Sequence, residues 1–367
     1  MSYIVFVSTF PTEANMRDGY FRRVHHVDQV FSQENRVHLD IRFGKNCIKK
    51  IDYRDERMQV MHLNAFFHFF LIFSVLRKSG IVYIHSIAKI PSILVQLMIL
   101  KRRVPLALDL HGVMVDELKL SGHRFGAWFY SRIEKFCYTW CRLTISVSEV
   151  MQNHFRNKYP DYRGQVLVFP ANSGEPATDL DSDQASADLL RRELGFAPGD
   201  VVILYSGNCQ KWQNVDLMME IMHKLTADQY KFLILSGQKS HFEKLIRHYK
   251  IPSGQIRLLS VKPEELGKYY QLAHYGFILR DDILVNRVAN PTKLAEYLQY
   301  GIIPIVKLAE IGDYDQHQYE YIHYQDLDRK LVASKSQKNR DVYRLINQKY
   351  GKEGFRIAIQ GFLALNS

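Results

Sequence analysis

Short apolar runs rich in β-branched and aromatic residues alternate with longer amphipathic stretches along the chain. This alternation is typical of strand–helix units built around a parallel β-sheet. It predicts two series of strands, one before residue 170 and one after residue 200. The predicted strands are Tyr3–Ser8, Val37–Ile41, Ile81–His85, Leu106–Leu110, Leu143–Val147 and Gln165–Phe169, followed by Val201–Ser206, Lys231–Ser236, Ile256–Leu259, Tyr275–Leu279 and Ile303–Val306.

A polar stretch separates the two series. Residues 171–187 (ANSGEPATDLDSDQASA) are rich in Gly, Pro, Ser and Asp, and we predict that they form a linker. The 367 residues also exceed the ~250 to 300 over which one core usually grows. The sequence therefore predicts an α/β protein with two Rossmann-like domains, at residues 1–175 and 176–340. The apolar spacing in Arg340–Leu365 predicts a helix in the remaining segment, 341–367, which we expect to pack back on the first domain.

The composition is that of a globular protein, with 47% apolar and 24% charged residues. The four cysteines are scattered and form no CxxC pair, so neither a disulfide framework nor a zinc site is indicated. The amino-terminal residues MSYIVFVSTFP have a strand pattern and lack the features of a signal peptide, so a cytoplasmic location is expected. The most apolar window, Leu63–Leu76, is shorter than the ~18 residues of a spanning helix and contains His68.

The positive charge is concentrated in the first half of the chain. The net charge is +11, and residues 1–175 hold 24 Lys and Arg against 15 Asp and Glu. The basic clusters are Arg22–Arg23, Lys49–Lys50, Arg77–Lys78 and Lys101–Arg103. Together with the aromatic run Phe66–Phe73, they would suit the surface of an anionic bilayer. The competing interpretation is that the apolar run is core and the cations are solvated.

One window of the sequence predicts an anion site. Pro291 and Thr292 can open a helix whose first turn contains Lys293, because proline suits a first turn, where the backbone N–H groups lack partners. Those N–H groups, the Thr292 hydroxyl and the helix dipole would bind an anion such as a diphosphate. Glu296 lies one turn further on, where it could accept hydrogen bonds from ribose hydroxyls, and Gly301 is predicted to end the helix. An ordinary helix start with a solvated glutamate is the alternative.

Five segments of the chain carry a resemblance to a known family. They are ALDLHGVMVDE (107–117), TISVSEVMQNHF (144–155), YSGNCQKWQNVDLMMEIMHKL (205–225), VKPEELGKYYQLAHYGFILRDD (261–282) and PTKLAEYLQYGIIPIV (291–306). In this order they resemble motifs of the GT-B glycosyltransferases, specifically the retaining enzymes like those of family 4. The last segment resembles the family block P-(S/T)-K-x-x-E-Y-x-x-x-G-x-P-(I/V).

The resemblance implies a fold and a set of site residues. In the GT-B fold two Rossmann-like domains face each other across a cleft; the first binds the acceptor and the second a nucleotide-sugar donor. His111 corresponds to a family histidine near the transferred sugar, and Asp109 is expected to orient its imidazole. The implied donor-binding residues are Gly19, Gly207, Lys211, Arg280, Pro291, Thr292, Lys293, Leu294 and Glu296.

The chain departs from the family pattern at two places. Many relatives carry a second glutamate eight positions before Glu296, where this chain has Val288. The family's basic pair for the diphosphate falls on Asn208 and Gln213–Asn214. The candidates to replace that pair are Lys211, Arg280, Arg287 and Lys293, because fixed positive charge must stabilise the departing diphosphate.

No metal or other cofactor is called for by the sequence. Asp281 and Asp282 form a carboxylate pair after a predicted strand, but no third ligand lies at a convincing spacing. A solvated turn is the expected role of this pair.

The resemblance implies transfer of a hexosyl-type sugar from a UDP- or GDP-sugar to a saccharide acceptor, with retention of configuration. A role in bacterial surface polysaccharide synthesis follows from the same resemblance, and the basic first domain would suit a lipid-linked acceptor at the inner face of the plasma membrane. Two alternatives remain open: a nucleotide-sugar epimerase of the same fold, and a basic nucleic-acid-binding protein, although no RRM, KH, helix-turn-helix or zinc-finger pattern is present. No G-x-G-x-x-G follows a predicted strand, so a dinucleotide-dependent oxidoreductase is least favoured.

Overall fold

The chain folds into two compact units. A computed structural model describes residues 3–12, 15–16, 18–170, 184–327 and 330–366. Unit 1 comprises the chain up to Ser173 together with Lys349–Ser367, and unit 2 comprises Gly174–Gln348. The boundaries thus fall at 173 and 348, where the sequence placed them at 175 and 340.

Each unit is built on one β-sheet. The strands of unit 1 are β1 Ile4–Val7, β2 Arg36–Arg42, β3 Lys50–Asp55, β4 Met58–Asn64, β5 Ile81–His85, β6 Leu106–Leu110, β7 Leu143–Ser146 and β8 Gln165–Val168. The strands of unit 2 are β9 Val201–Ser206, β10 Tyr230–Leu235, β11 Ile256–Leu259, β12 Tyr275–Ile278, β13 Ile303–Val306 and β14 Ile322–His323. The sheet orders are β3-β4-β2-β1-β5-β6-β7-β8 and β11-β10-β9-β12-β13-β14.

Helices connect the strands in both units. They are α1 Gly19–Val30, α2 Phe69–Arg77, α3 Leu94–Leu100, α4 Met114–Leu120, α5 Arg124–Trp140, α6 Glu149–Lys158, α7 Gln184–Glu193, α8 Val215–Lys224, α9 Lys239–His248, α10 Leu266–Leu272, α11 Leu284–Arg287, α12 Thr292–Gln299, α13 Gln337–Lys349 and α14 Lys352–Asn366. Because nearly all strand pairs are parallel, the loops that follow the strands meet along one edge of each sheet.

The eleven predicted strands are all present, each within one residue of its predicted ends, and the α/β fold class is confirmed. The prediction of six strands for the first sheet was wrong, because that sheet has eight. The missed strands β3 and β4 form an antiparallel pair at the sheet edge. Strand β3 (KIDYRD) is largely exposed and therefore lacks the apolar run on which the strand prediction depends.

The predicted linker is described only in part. Residues 171–183 lie outside the described residues, and Gln184–Ala187 form the first turn of α7 rather than a linker. The predicted carboxyl-terminal helix is two helices, α13 and α14, with a break at Gly351.

Helix α14 completes the core of unit 1. Phe355, Ile359 and Phe362 are buried in a cluster with residues of β1, α1 and β7, including Val27 and Ile145. The Phe355 ring stacks on Phe169, with 4.0 Å between the centroids. The core of unit 1 thus contains side chains from the segment that precedes unit 2 in the sequence and from the segment that follows it.

Candidate functional site

A buried ion pair lies at the carboxyl end of β6 in unit 1. Asp109 is fully buried, and Arg23 of α1 is 3% exposed. The Arg23 guanidinium donates from Nε to both carboxylate oxygens at 3.0 Å and from Nη2 to Oδ1 at 2.6 Å. Its Nη1 donates to the Phe169 carbonyl. Arg23 is therefore not part of a basic surface, which corrects its place among the membrane-facing cations predicted from the sequence.

Two histidines adjoin the same carboxylate. Nδ1 of His85 lies 3.4 Å and Nε2 of His111 lies 3.5 Å from Asp109 Oδ2, and these two ring nitrogens are 3.3 Å apart. Tyr83 donates its hydroxyl to Oδ2 at 3.0 Å. Arg23 rather than His111 is thus the main partner of Asp109, so the imidazole is held within a shared network.

The charge states of this network follow from burial. Burial alone would raise the pKa of the Asp109 carboxyl, but the Arg23 charge and the contacts with His111 and His85 hold that pKa well below its usual value. Burial lowers the pKa of His85 to about 4 and, against the attraction of Asp109, also lowers that of His111. At neutral pH the site therefore holds one ion pair and two neutral imidazoles.

The group His85, Asp109 and His111 has the donor types of a metal site, and its ligand atoms lie within 4.8 Å of one another. The Arg23 guanidinium already occupies both oxygens of the carboxylate. A divalent cation bound there would lie beside a fixed positive charge, which Coulomb repulsion opposes. The geometry fits an ionic hydrogen-bond network better than a metal centre.

A cavity of about 260 Å³ opens beside His111. It is lined by Ser86, Ile87, Ala88, Leu110, His111, Gly112, Met114 and Glu117. Its volume lies just below the ~300 Å³ at which ligand pockets commonly begin. A small apolar wall with a few polar groups suits a single sugar ring, which has one apolar face and a rim of hydroxyls.

Glu117 is a candidate site residue that the sequence analysis missed. Burial raises the pKa of its carboxyl, which also accepts a hydrogen bond from the Val113 backbone. Its Oε1 lies against Gly112, so closely that any side chain at Gly112 would collide with it. In the sequence, Asp116-Glu117 has the pattern of an ordinary acidic first helical turn. Gly112, a few residues earlier, is the one sign that a side chain comes close to the backbone there.

Gly19 begins α1, where the Asp18 side chain caps the helix by accepting from the Tyr20 N–H at 2.8 Å. A Cβ added at Gly19 would meet no atom within 4 Å. Packing within the chain therefore does not require a glycine here. The Tyr20 ring contacts His111, with 5.0 Å between the centroids.

In unit 2 the glycine turn after β9 meets the first turn of α12. Gly207 has φ +156°, and the Lys293 side chain passes so close that any Cβ at position 207 would collide with its amine. The Lys293 ammonium also lies 5.3 Å from the centroid of the Tyr205 ring. The two segments that the sequence analysis singled out in this domain are thus neighbours, and a cation lies where they meet.

Helix α12 begins and ends much as its sequence predicted. Pro291 is its N-cap, with Thr292 as the first helical residue and Leu294 fully buried beneath them. At the other end Gly301 has φ +66°, and its N–H and that of Ile302 donate to carbonyls of the last turn. This is the glycine-ended helix terminus that the sequence indicated.

Glu296 lies in the second turn of α12. Its Oε2 accepts the Tyr270 hydroxyl at 2.8 Å, and that hydroxyl is 3.0 Å from Ser206 Oγ. Tyr270 and Ser206 are both buried. The carboxylate is therefore oriented by a buried tyrosine, and the interpretation of Glu296 as a merely solvated residue does not fit.

The remaining basic candidates differ in their surroundings. Burial lowers the pKa of Arg280 to about 10, and its Nη1 lies 3.5 Å from Asn286 Oδ1. Lys211 is exposed in a short 3₁₀ turn after Gly207. Arg287 donates two hydrogen bonds to Asp282, and Lys307 binds Asp281, so both carboxylates of the predicted turn are paired with cations.

Residues 186–307, which contain the Gly207 turn and α12, match the family described as glycosyl transferases group 1. The chain is a glycosyltransferase, and over these residues it is similar to the group 1 enzymes. This confirms the resemblance to the retaining, nucleotide-sugar-dependent enzymes on which the sequence analysis was based. A comparison with curated protein sequences found no match.

Solved structures of glycosyltransferases resemble the chain over its whole length. Sucrose-phosphate synthase from Thermosynechococcus elongatus is 13% identical, with a TM-score of 0.70 over 100% of this chain and 99% of that chain. The UDP-forming α,α-trehalose-phosphate synthase from Burkholderia vietnamiensis is 11% identical, with a TM-score of 0.67 over 99% and 98%. HepE from Anabaena, in complex with UDP and glucose, is 11% identical, with a TM-score of 0.66 over 99% and 100%. At these identities the likeness is one of fold, and the predicted GT-B fold is confirmed.

Proposed function

We infer that this glycosyltransferase takes its sugar from a UDP-sugar bound to unit 2. The observation that carries this is the Lys293 ammonium, which lies against Gly207 at the amino-terminal end of α12. A helix amino terminus, a glycine turn and a lysine together favour a diphosphate. The partly buried Arg280 adds a second positive charge to the same domain.

The choice of UDP rests on the relatives of the same fold. HepE is described in complexes with UDP and with UDP-glucose, and the trehalose-phosphate synthase is described as UDP-forming. In this chain the Glu296 carboxylate, which the Tyr270 hydroxyl orients, would accept hydrogen bonds from the ribose hydroxyls. GDP-sugars are the next donors to test.

The cavity beside His111 would bind the acceptor sugar. A hydroxyl of the acceptor attacks the anomeric carbon of the donor sugar from the face on which the diphosphate leaves. The bond between that carbon and the phosphate oxygen breaks. The proton of the acceptor hydroxyl passes to the same phosphate oxygen. Configuration is then retained without a protein nucleophile. His111 positions and polarises the acceptor, and Nδ1 of its neutral ring is buried without a hydrogen-bond partner among the described residues.

As part of the same proposal, the acceptor is a lipid-linked saccharide of bacterial surface polysaccharide synthesis, reached from the cytoplasmic face of the plasma membrane. The basic excess of residues 1–175 supports this, because anionic lipids attract such a surface. Among the described residues, no helix is long and apolar enough to cross a membrane. Contact with the bilayer would therefore be peripheral.

The first experiment is a thermal-shift screen with UDP, GDP, ADP, CMP and their sugars on the native chain and Lys293→Ala. A ligand at ~100 times its dissociation constant stabilises the folded state by ~2.7 kcal/mol. UDP should raise the Tm of the native chain and not that of Lys293→Ala. Lys244→Ala, at an exposed position of α9, is the matched control and should respond like the native chain. No response to any nucleotide would overturn the proposal, and conversion of the donor without an acceptor would favour an epimerase.

A further inference from the structure

A long segment of unit 1 contains no carboxylate. Residues 57–108 hold seven Lys and Arg and not one Asp or Glu, although the chain has 38 acidic residues in all. Helices α2 and α3 both lie within this segment and pack beside each other. The side chains of these two helices therefore carry no negative charge to balance the positive charges of the segment.

That surface exposes large apolar side chains. Phe66 and Phe67, in the turn before α2, are 70% and 74% exposed, and Phe70, in its first turn, is 83% exposed. On α3, Val95, Met98 and Ile99 are each more than half exposed. We call these six residues the α2–α3 face. Large apolar side chains exposed on two neighbouring helices of a folded protein often mark an interaction site.

A buried polar residue holds the phenylalanines in place. Asn64, which is 1% exposed, accepts the N–H groups of Phe66 and Phe67 through Oδ1 at 2.9 and 3.2 Å. Its Nδ2 donates to the carbonyls of Phe43 and Lys45, each at 2.9 Å. The Phe43 ring contacts Phe66, with 5.6 Å between the centroids. The exposed rings are thus fixed on a hydrogen-bonded turn.

Positive charges border this apolar face. Exposed Arg77 and Lys78 end α2, exposed Lys101–Arg103 end α3, and Lys45 lies in the loop that Asn64 holds. Apolar side chains that enter the acyl boundary, with cations at the level of the headgroups, are the arrangement of a peripheral membrane surface. We propose that the α2–α3 face binds the surface of an anionic bilayer.

Two other occupants fit less well. A second copy of this chain would bring the same cations opposite these, and like charges would meet at the interface. Single-stranded nucleic acid would stack on the phenylalanines, but Val95, Met98 and Ile99 offer no aromatic face. The proposal rests on the proposed function in one respect: membrane contact would bring the enzyme to a lipid-linked acceptor. Bilayer binding itself is argued from the α2–α3 face and the cations around it.

The test is sedimentation of the full chain with vesicles of phosphatidylcholine alone and of phosphatidylcholine with about 30% phosphatidylglycerol. The native chain should bind the anionic vesicles and not the neutral ones. Phe67→Ser/Phe70→Ser should weaken binding by about tenfold or more, and Arg77→Gln/Lys78→Gln should weaken it in low salt. The matched control is Leu189→Ser/Leu345→Ser, at two half-exposed positions of unit 2, which should bind like the native chain.

The substituted positions are exposed, so the variants should fold, and a Tm equal to that of the native chain without ligand will verify this. The proposal is overturned if the native chain does not bind anionic vesicles, or if Phe67→Ser/Phe70→Ser binds them unchanged. It is equally overturned if the phenylalanine variant instead loses self-association in analytical ultracentrifugation or loses binding to an oligonucleotide. Failure to bind UDP would contradict the proposed function alone, because vesicle binding requires no donor.

Discussion

Arg23 and Asp109 form a buried ion pair that ties α1 to the end of β6, with three hydrogen bonds from one guanidinium to one carboxylate. Removing one partner would leave the other charge buried without compensation. The pair therefore has a structural role in addition to its place beside His111.

Asp109→Asn should lower the free energy of unfolding by about 3 to 5 kcal/mol, measured by urea denaturation. The matched control is Asp282→Asn, which removes a carboxylate from an exposed ion pair with Arg287 and should have a much smaller effect. Equal effects of the two substitutions would contradict the importance assigned to burial.

Gly207→Ala should impair donor binding through Lys293. The new Cβ would displace the lysine amine from its position, and the backbone at φ +156° disfavours a side chain. We expect the donor KM to rise about tenfold, equivalent to about 1.4 kcal/mol. Gly199→Ala, where an added Cβ meets no atom within 4 Å, is the control. In Gly207→Ala/Lys293→Ala the two losses should not add, since both act on the same ammonium; additive losses would disprove the link.

Glu117→Gln should raise the KM for the acceptor severalfold and leave the donor KM unchanged, because Glu117 lines the cavity beside His111. Asp116→Asn is the control, since it removes a neighbouring charge that pairs with Lys119 instead. Burial raises the pKa of Glu117. As the pH falls, acceptor binding by the native enzyme should therefore weaken at a higher pH than it would if Glu117 were exposed. A change confined to the donor KM would remove Glu117 from the acceptor site.

The stability of the chain should fall in mild acid partly through His274. Its Nδ1 accepts the Val202 N–H at 3.0 Å, and burial lowers its pKa to about 4. The unfolded chain, with a histidine pKa of about 6.5, binds the proton first as pH falls, so this stabilisation is present above pH ~6.5 and is lost toward pH 4. Between pH 7.5 and 5.5 the loss should be about 1 kcal/mol. His274→Gln should remove that part of the pH dependence in urea unfolding, and an unchanged dependence would contradict it.

Local patterns predicted the fold well and the site in part. Strand β5 is a continuous apolar run because it is buried on both faces, and the helix start at Pro291 was visible from adjacent residues. The edge strand β3 was missed because an exposed edge does not require apolar side chains. Buried strands and helix starts could be predicted because adjacent residues in the sequence reveal them. The exposed edge strand could not, because its residues have no apolar pattern.

Long-range pairings were beyond the sequence. Arg23 and Asp109 are far apart in the chain, and a single sequence gives no sign that an arginine in an amphipathic helix will be buried against a carboxylate. For the same reason Asp109 was assigned to His111 alone, and Arg23 was counted with the surface cations. Glu117 was missed because its burial depends on the glycine five positions earlier.

The return of α14 to unit 1 separates the order of synthesis from the order of folding. Phe355, Ile359 and Phe362 leave the ribosome only after all of unit 2, yet they fill the core around Val27 and Ile145. Unit 2 is formed by one continuous stretch of the chain, so during synthesis all of its core residues are available before those of unit 1. Unit 1 is translated first, but apolar side chains of its core stay uncovered until α14, which is translated last, packs against them.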